Sequence, residues 1–390
     1  MNYHIFILVI SLFKKGSLKK TNTSNMKLPN LVIKNVRLDN CIVQGGMGVG
    51  VSLHPLAGAV SKGGGLGIIS SAGLRTIVSS REGREVDTYT AVCIEIERAR
   101  ELGGGNPVGI NVMCALVGDY DDTVIASIDA GADVIISGAG LPTGLPKIKP
   151  PGHTALIPIV SSARALEIIV KRWERASYRP DAVVLEGPLA GGHLGFKMAE
   201  VNDPEFALEK LLPAVLETSH AHGDFPVIVA GGIYTHEDIV KFLAMGASGV
   251  QMGTRFLATK ESSATEAYKQ AVVASGVDDI VIVDYPESPP ASPCGLPFRI
   301  LRGSPMYTSV RTPKCRMGYV LQRGNDGKLS VCQAMPGRPN NDKFLCICSG
   351  LMSSAGYAPT EPPLYTVGTN AYRVNRVLST EELMRELRGE

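Results

Sequence analysis

The sequence predicts an α/β protein: a (β/α)8 TIM barrel carrying a small C-terminal cap. Three observations lead there. From Cys41 to Met252 eight short apolar runs recur, with a helix-like stretch after most of them. The runs are almost uniformly apolar, as parallel strands buried on both faces must be. Nearly every run ends in glycine or a small polar residue, where a barrel places its binding loops. An open doubly wound sheet shares the first two features and stays as the alternative.

Taken in order, the strands are expected at 41–44, 66–70, 108–112, 134–137, 155–160, 182–186, 227–230 and 249–252. Helices are expected at 55–62, where Pro55 suits a first turn, and at 86–102, 121–130, 163–176, 204–221, 235–245 and 263–272. Thr235 with Asp238 reads as an N-terminal capping pair. Residues 141–153 are rich in Pro and Gly, so the crossover after the fourth strand is expected to be irregular. Pro286, Pro289, Pro290 and Pro293 mark a change of composition. The barrel is accordingly drawn over 26–285 and a Cys-containing cap, ending in a helix at 380–387, over 286–390.

Residues 1–25 are set apart as a leader, expected to be disordered. The apolar run at 5–13 is too short to span a bilayer, and it lacks both a basic start and a small-x-small cleavage site. Met26 opens a more convincing start, MKLPNLVI. With 44% hydrophobic and 19% charged residues the chain has the composition of a globular protein and not of a disordered one. A net charge of +2 without a long basic run argues against nucleic acid and membrane surfaces as partners. Cys41, Cys93 and Cys114 lie in apolar surroundings, while Cys294, Cys315, Cys332, Cys346 and Cys348 crowd the last quarter. Their spacing fits neither a zinc-binding pair set nor a ferredoxin run, so no metal is expected. Reduced thiols in a cytoplasmic protein are the expectation.

The strand ends carry the chemistry. Gly45-Gly46-Met47-Gly48 follows the first strand, Asn111 ends the third, and Gly138-Ala139-Gly140 follows the fourth. Gly191-Gly192-His193 comes shortly after the sixth, Gly231-Gly232 after the seventh and Gly253-Thr254 after the eighth. In this fold the loops after strands seven and eight commonly cradle a phosphate through backbone N–H groups, and glycine lets the backbone come close. A phosphorylated flat cofactor across the barrel mouth fits, and FMN suits it, with its ring near Gly46 and Met47. P-loop and Rossmann fingerprints are absent.

IVQGGMGVG (42–50), GGGLGIISSAG (63–73), GINVM (109–113), EGPLAGGHLG (186–195), VIVAGGIYT (227–235) and GVQMGTRF (249–256) together resemble the nitronate monooxygenase (2-nitropropane dioxygenase-like) family of FMN proteins. They are similar, too, to the related flavin-dependent enoyl-acyl-carrier-protein reductases. SPCGLPFR (292–299) and GTNAYRV (368–374) extend the resemblance into the tail. The resemblance implies flavin contacts at Asn111, Glu186, Gly191, Gly232 and Gln251, Met252, Gly253 and Thr254. Gly46, Met47, Gly192 and Gly231 complete the expected cofactor-binding set. Many relatives carry Gln where this chain has Glu186. His193 is the expected catalytic residue, as a base on a neutral nitroalkane or as the holder of an anionic nitronate or enolate oxygen.

The resemblance implies oxidation of alkyl nitronates by O2 to a carbonyl and nitrite. The alternatives are an NAD(P)H-dependent flavin reductase acting on an enoyl thioester or quinone, for which Arg299, Arg302 and Lys314 would receive a phosphate, and a flavin-binding subunit without turnover. A homodimer through the tail is left open. Of the other histidines, His54 and His153 lie near strand ends, His220 and His222 end a helix, and His236 is expected at a surface helix start.

Overall fold

A computed structural model of the protein describes residues 26–116, 118–309, 320–323, 329–334, 337–357 and 361–390. The expected leader, Lys314 and Cys315 lie outside the described residues.

The chain opens with an antiparallel hairpin, β1 (Leu31–Ile33) and β2 (Val36–Leu38). Its alternating residues turn inward, and Leu31 lies against Gly249, so the hairpin closes the N-terminal end of the barrel. The barrel strands are β3 (Ile42–Gln44), β4 (Gly67–Ser70), β5 (Val108–Met113), β6 (Val134–Gly138), β7 (Ala155–Val160), β8 (Val183–Glu186), β10 (Val227–Ala230) and β11 (Gly249–Met252). The two-residue β9 (Gly192–His193) lies outside the barrel. All barrel pairs are parallel, in the order β3-β11-β10-β8-β7-β6-β5-β4, and the bridge between Val43 and Leu66 closes the ring. Eight strands in sequence order around a closed parallel sheet is the predicted barrel, and the open-sheet alternative falls with that bridge.

The outer helices follow their capping chemistry. α1 (His54–Lys62) packs so closely on β4 that a Cβ on Gly67 would stand 1.8 Å from the Ala57 carbonyl oxygen. α2 (Leu74–Glu82) was not expected. α3 (Thr88–Leu102) starts two residues later than the apolar pattern suggests, behind the cap Asp87, whose side chain accepts from the Thr90 N–H. On α3 sits Glu95, with a fully buried side chain that accepts from both the backbone N–H and the ring of His54 and pairs with Arg81. Burial alone would raise that carboxyl, but His54 and Arg81 outweigh it and hold it below the usual range.

α4 (Tyr120–Asp129) and α6 (Ala163–Glu174) stand close to expectation. The irregular fourth crossover contains only α5 (Leu145–Ile148). The single helix expected at 204–221 is divided into a 3-10 turn over Pro204–Phe206 and α8 (Leu208–Ala221), and an unexpected short α7 (Met198–Val201) precedes both. α9 (His236–Ala244) has the predicted reciprocal cap, Thr235 accepting from the Asp238 N–H while the Asp238 carboxylate accepts from the Thr235 N–H.

After the barrel, β12 (Ile280–Val283) and β13 (Phe298–Leu301) join β9 in a three-stranded antiparallel sheet. The closing helix α10 (Thr380–Arg388) is capped by Ser379 and Glu382 and buries Leu383, Met384 and Leu387 in the main core. His236 is buried at 5% exposure, its Nδ1 on the Leu387 carbonyl, which corrects the expected surface position.

Candidate active site

The strand register aligns three side chains. Ala230 pairs with Glu186 on one side and with Gln251 on the other, so the C-terminal ends of β8, β10 and β11 form one row. Across the barrel, Ser70 pairs with Asn111. Above this floor opens a cavity of about 1140 Å³ lined by every residue expected to bind cofactor or act in catalysis: Gly46, Met47, Asn111, Glu186, Gly191, Gly192, His193, Gly231, Gly232, Gln251, Met252, Gly253 and Thr254. That volume exceeds the roughly 300–1,000 Å³ usual for one small ligand, and leaves room for a cofactor and a substrate together.

His193 is placed by the tail. It pairs with Phe298 across β9 and β13, and the Phe298 ring meets the imidazole edge-on with centroids 4.6 Å apart. Leu194 N–H donates to the Pro297 carbonyl at 2.9 Å. Ser292 Oγ stands 3.0 Å from His193 Nε2 and 2.9 Å from Cys294 Sγ. Arg299, 3% exposed, donates to the carbonyls of Pro188 and Ala190 and so fixes the loop that delivers the histidine. Burial pushes the Arg299 guanidinium down to about 10.

The glycine loops after β10 and β11 are tied to the tail as well. Gly231 and Gly232 have φ of +94° and +87°, and a Cβ on Gly231 would meet the Gly187 carbonyl oxygen at 2.8 Å. Thr254 Oγ1 accepts from the Gly368 N–H at 2.9 Å, and the Asn370 amide donates to the Gly232 carbonyl at 2.5 Å. Two buried polar atoms on the cavity's lining residues, Gln251 Oε1 and Thr369 Oγ1, have no hydrogen-bond partner among the described residues. Leaving such groups dry and unmatched costs about 1–3 kcal/mol each, so they mark places for a polar ligand to bond.

Glu186 is half-buried at the cavity floor. Burial raises its carboxyl to about 7, and the charge of His193 opposes only part of that rise. The raised value sets a sign. The native carboxyl binds its proton more tightly than the unfolded chain does, so its contribution to stability is complete below about pH 4.5 and is lost as pH rises through about 7. Glu186→Gln removes the titration. In the flavin-free protein, unfolding titrations at pH 5 and pH 8 are expected to show the variant gaining on the parent at the higher pH, by an amount bounded at roughly 3 kcal/mol. A difference that stays constant with pH would show that the carboxyl titrates normally.

A family model described as nitronate monooxygenase matches residues 30–390. The chain belongs to the nitronate monooxygenase family. It is an enzyme, an oxidoreductase. A nitronate monooxygenase from Pseudomonas aeruginosa is 32% identical over 268 residues, covering 59% of this chain and 70% of that protein. The (3aS,4S,5R,7aS)-5-hydroxy-7a-methyl-1-oxo-octahydro-1H-indene-4-carboxyl-CoA dehydrogenase of Rhodococcus jostii is 31% identical over 304 residues, covering 77% of this chain and 73% of that protein. Among solved structures, FabK from Thermotoga maritima is similar with a TM-score of 0.63 at 25% identity, covering 90% of this chain and 92% of that one.

Against this nitronate monooxygenase barrel the secondary candidates fall away from the cavity. His54 is held by Glu95, and His153 precedes β7 at the opposite end of the barrel. His220 is exposed beside Asp224, and His222 meets Glu174 at 3.6 Å. Arg299 is spent on the loop carbonyls and Arg302 is exposed, donating to the Asp278 carbonyl. Sequence reasoning missed Ser292, Thr369 and Asn370. The stretches containing them, SPCGLPFR and GTNAYRV, carried a signal without saying which side chains face the site. No group of three potential metal ligands occurs among the described residues.

Proposed function

We propose that the cavity binds FMN and that the enzyme oxidises alkyl nitronates with O2 to a carbonyl compound and nitrite. One observation carries this reading: His193, fixed by Ser292 and Phe298, faces a glycine-rich floor that offers unmatched polar atoms. The backbone N–H groups of Gly231, Gly232, Gly253 and Thr254 would hold the phosphate, and Asn111, Glu186 and Gln251 the polar parts of the ring and its side chain. FMN, when bound, supplies the electron transfer and the reaction with oxygen.

The protein's own groups do the rest. The loop closed by Arg299 sets the position of His193. A protonated imidazole holds the negative oxygen of a nitronate, and a neutral one takes the proton from a nitroalkane, with Ser292 Oγ beside Nε2 fixing the ring's orientation. A cytoplasmic location fits the described residues, in which no helix is long and apolar enough to cross a membrane.

A second reading, redox chemistry on a coenzyme A thioester with NAD(P)H as electron donor, is favoured by the size of the cavity and by what the Rhodococcus jostii relative is named for. Anaerobic mixing of the flavin-loaded protein separates the two. Bleaching of the oxidised flavin band by an alkyl nitronate, with little change from NADPH or NADH, is the expected result. Fast bleaching by a pyridine nucleotide and none by the nitronate would replace the first reading by the second.

A further inference from the structure

We propose that Cys294 is a nucleophilic thiol, coupled through Ser292 to His193, that adds covalently to electron-poor alkenes such as α,β-unsaturated carbonyl compounds entering the cavity. Three groups make the constellation. Ser292 Oγ bridges His193 Nε2 at 3.0 Å and Cys294 Sγ at 2.9 Å, and the Cys294 N–H donates to the same Oγ at 3.3 Å. Ser292 itself is 1% exposed, so water does not compete for these bonds. Cys294 and His193 both face the cavity, where an electrophile can reach them. A nucleophile beside a base, with a third group fixing their orientation, is the arrangement that activates a thiol.

The electrostatics agree with the geometry. Burial alone would raise the Cys294 thiol, but the His193 charge and the hydrogen bonds from His193 and Ser292 outweigh it and bring it to about 7. Burial moves three other thiols the opposite way: Cys41 is pushed up to about 12, and Cys93 and Cys114 are raised.

The addition balances without an oxidant or reductant. The thiol proton passes through Ser292 Oγ to His193 Nε2. The sulfur lone pair forms the S–C bond at the β carbon, and the alkene π pair moves to the α carbon as an enolate. The imidazolium then returns the proton to the α carbon. The product is a saturated thioether on Cys294, and its formation depends on no property of the flavin reaction.

Limiting acrylamide on the flavin-loaded protein, from about pH 5.5 to about pH 9, tests this by peptide mass mapping. Cys294 is expected to be modified first, with a rate that inflects near pH 7. At pH 6 a thiol of that kind carries about thirtyfold more thiolate than an ordinary one, and its weaker intrinsic nucleophilicity returns roughly fivefold, leaving a rate about sixfold higher. His193→Gln should move the inflection up toward about 8.5. Modification of any other cysteine ahead of Cys294 overturns the proposal, as does a His193→Gln profile identical to the parent's. Should that variant not fold, the parent alone decides, because an inflection at the ordinary thiol value of about 8.5 excludes the coupling.

Discussion

Replacing His193 with alanine is expected to lower nitronate turnover about 10²–10³-fold while the flavin stays bound, because the imidazole holds charge on the substrate and forms none of the cofactor's cradle. The loss should sit in kcat and kcat/KM together, as for an interaction strongest in the transition state. Neutral nitroalkanes test the role more sharply. They must lose a proton before they can be oxidised, so the variant should lose more on them than on preformed nitronates, up to about 10⁴-fold where the base is essential. Oxygen uptake with both forms of the same substrate gives the ratio directly. An unchanged ratio would confine His193 to holding the anion. Full turnover on both would remove it from the mechanism. His193→Gln, which keeps a donor but no base, should recover part of the nitronate rate and none of the nitroalkane rate.

The barrel was legible because its strands are buried on both faces. Ala155–Val160, Val227–Ala230 and Gly249–Met252 have the predicted ends, and the other five differ by a residue or so at one end. Uniform burial leaves no alternation to misread. Helix α2 escaped because LRTIVSSRE is short, β-branched and flanked by Gly73 and Gly83, although Leu74, Ile77 and Val78 carry helical spacing. The single helix expected at 204–221 overlooked Asp203, whose side chain accepts from Glu205 N–H and starts a separate turn.

What the sequence could not give is the tail's part in the site. Strand pairing between Phe298 and His193, and the Ser292 contact 99 residues away in sequence, are decided by how the tail folds back over the barrel. No local periodicity records such pairings. Arg299 shows the consequence. Read as a free cation it invites a phosphate, and packed it is committed to the carbonyls of Pro188 and Ala190. The glycines were readable individually, since a positive φ or a close approach requires glycine whatever the partner is.

Gly231→Ala should weaken FMN binding by about ten- to a hundredfold, the equivalent of roughly 1.4–2.7 kcal/mol. Two effects add. At φ +94° an L side chain is strained by about 1–3 kcal/mol. The new Cβ would also lie 2.8 Å from the Gly187 carbonyl oxygen and 3.2 Å from the Ala190 amide nitrogen. Both are backbone atoms of the loop that Arg299 pins, so no side-chain rotation relieves the contact. The loop after β10 must shift, taking its N–H groups out of register with those of Gly253 and Thr254. Gly83→Ala is the matched control: its φ is +66° and a Cβ there would meet nothing within 4 Å among the described residues. It should lose about 1 kcal/mol of stability and keep normal flavin affinity. Fluorescence titration with FMN, beside the melting temperatures of both flavin-free variants, distinguishes the cases. An equal loss of affinity in the two would mean that strain anywhere in the barrel loosens the site. An unchanged Kd in Gly231→Ala would mean that the phosphate is held elsewhere.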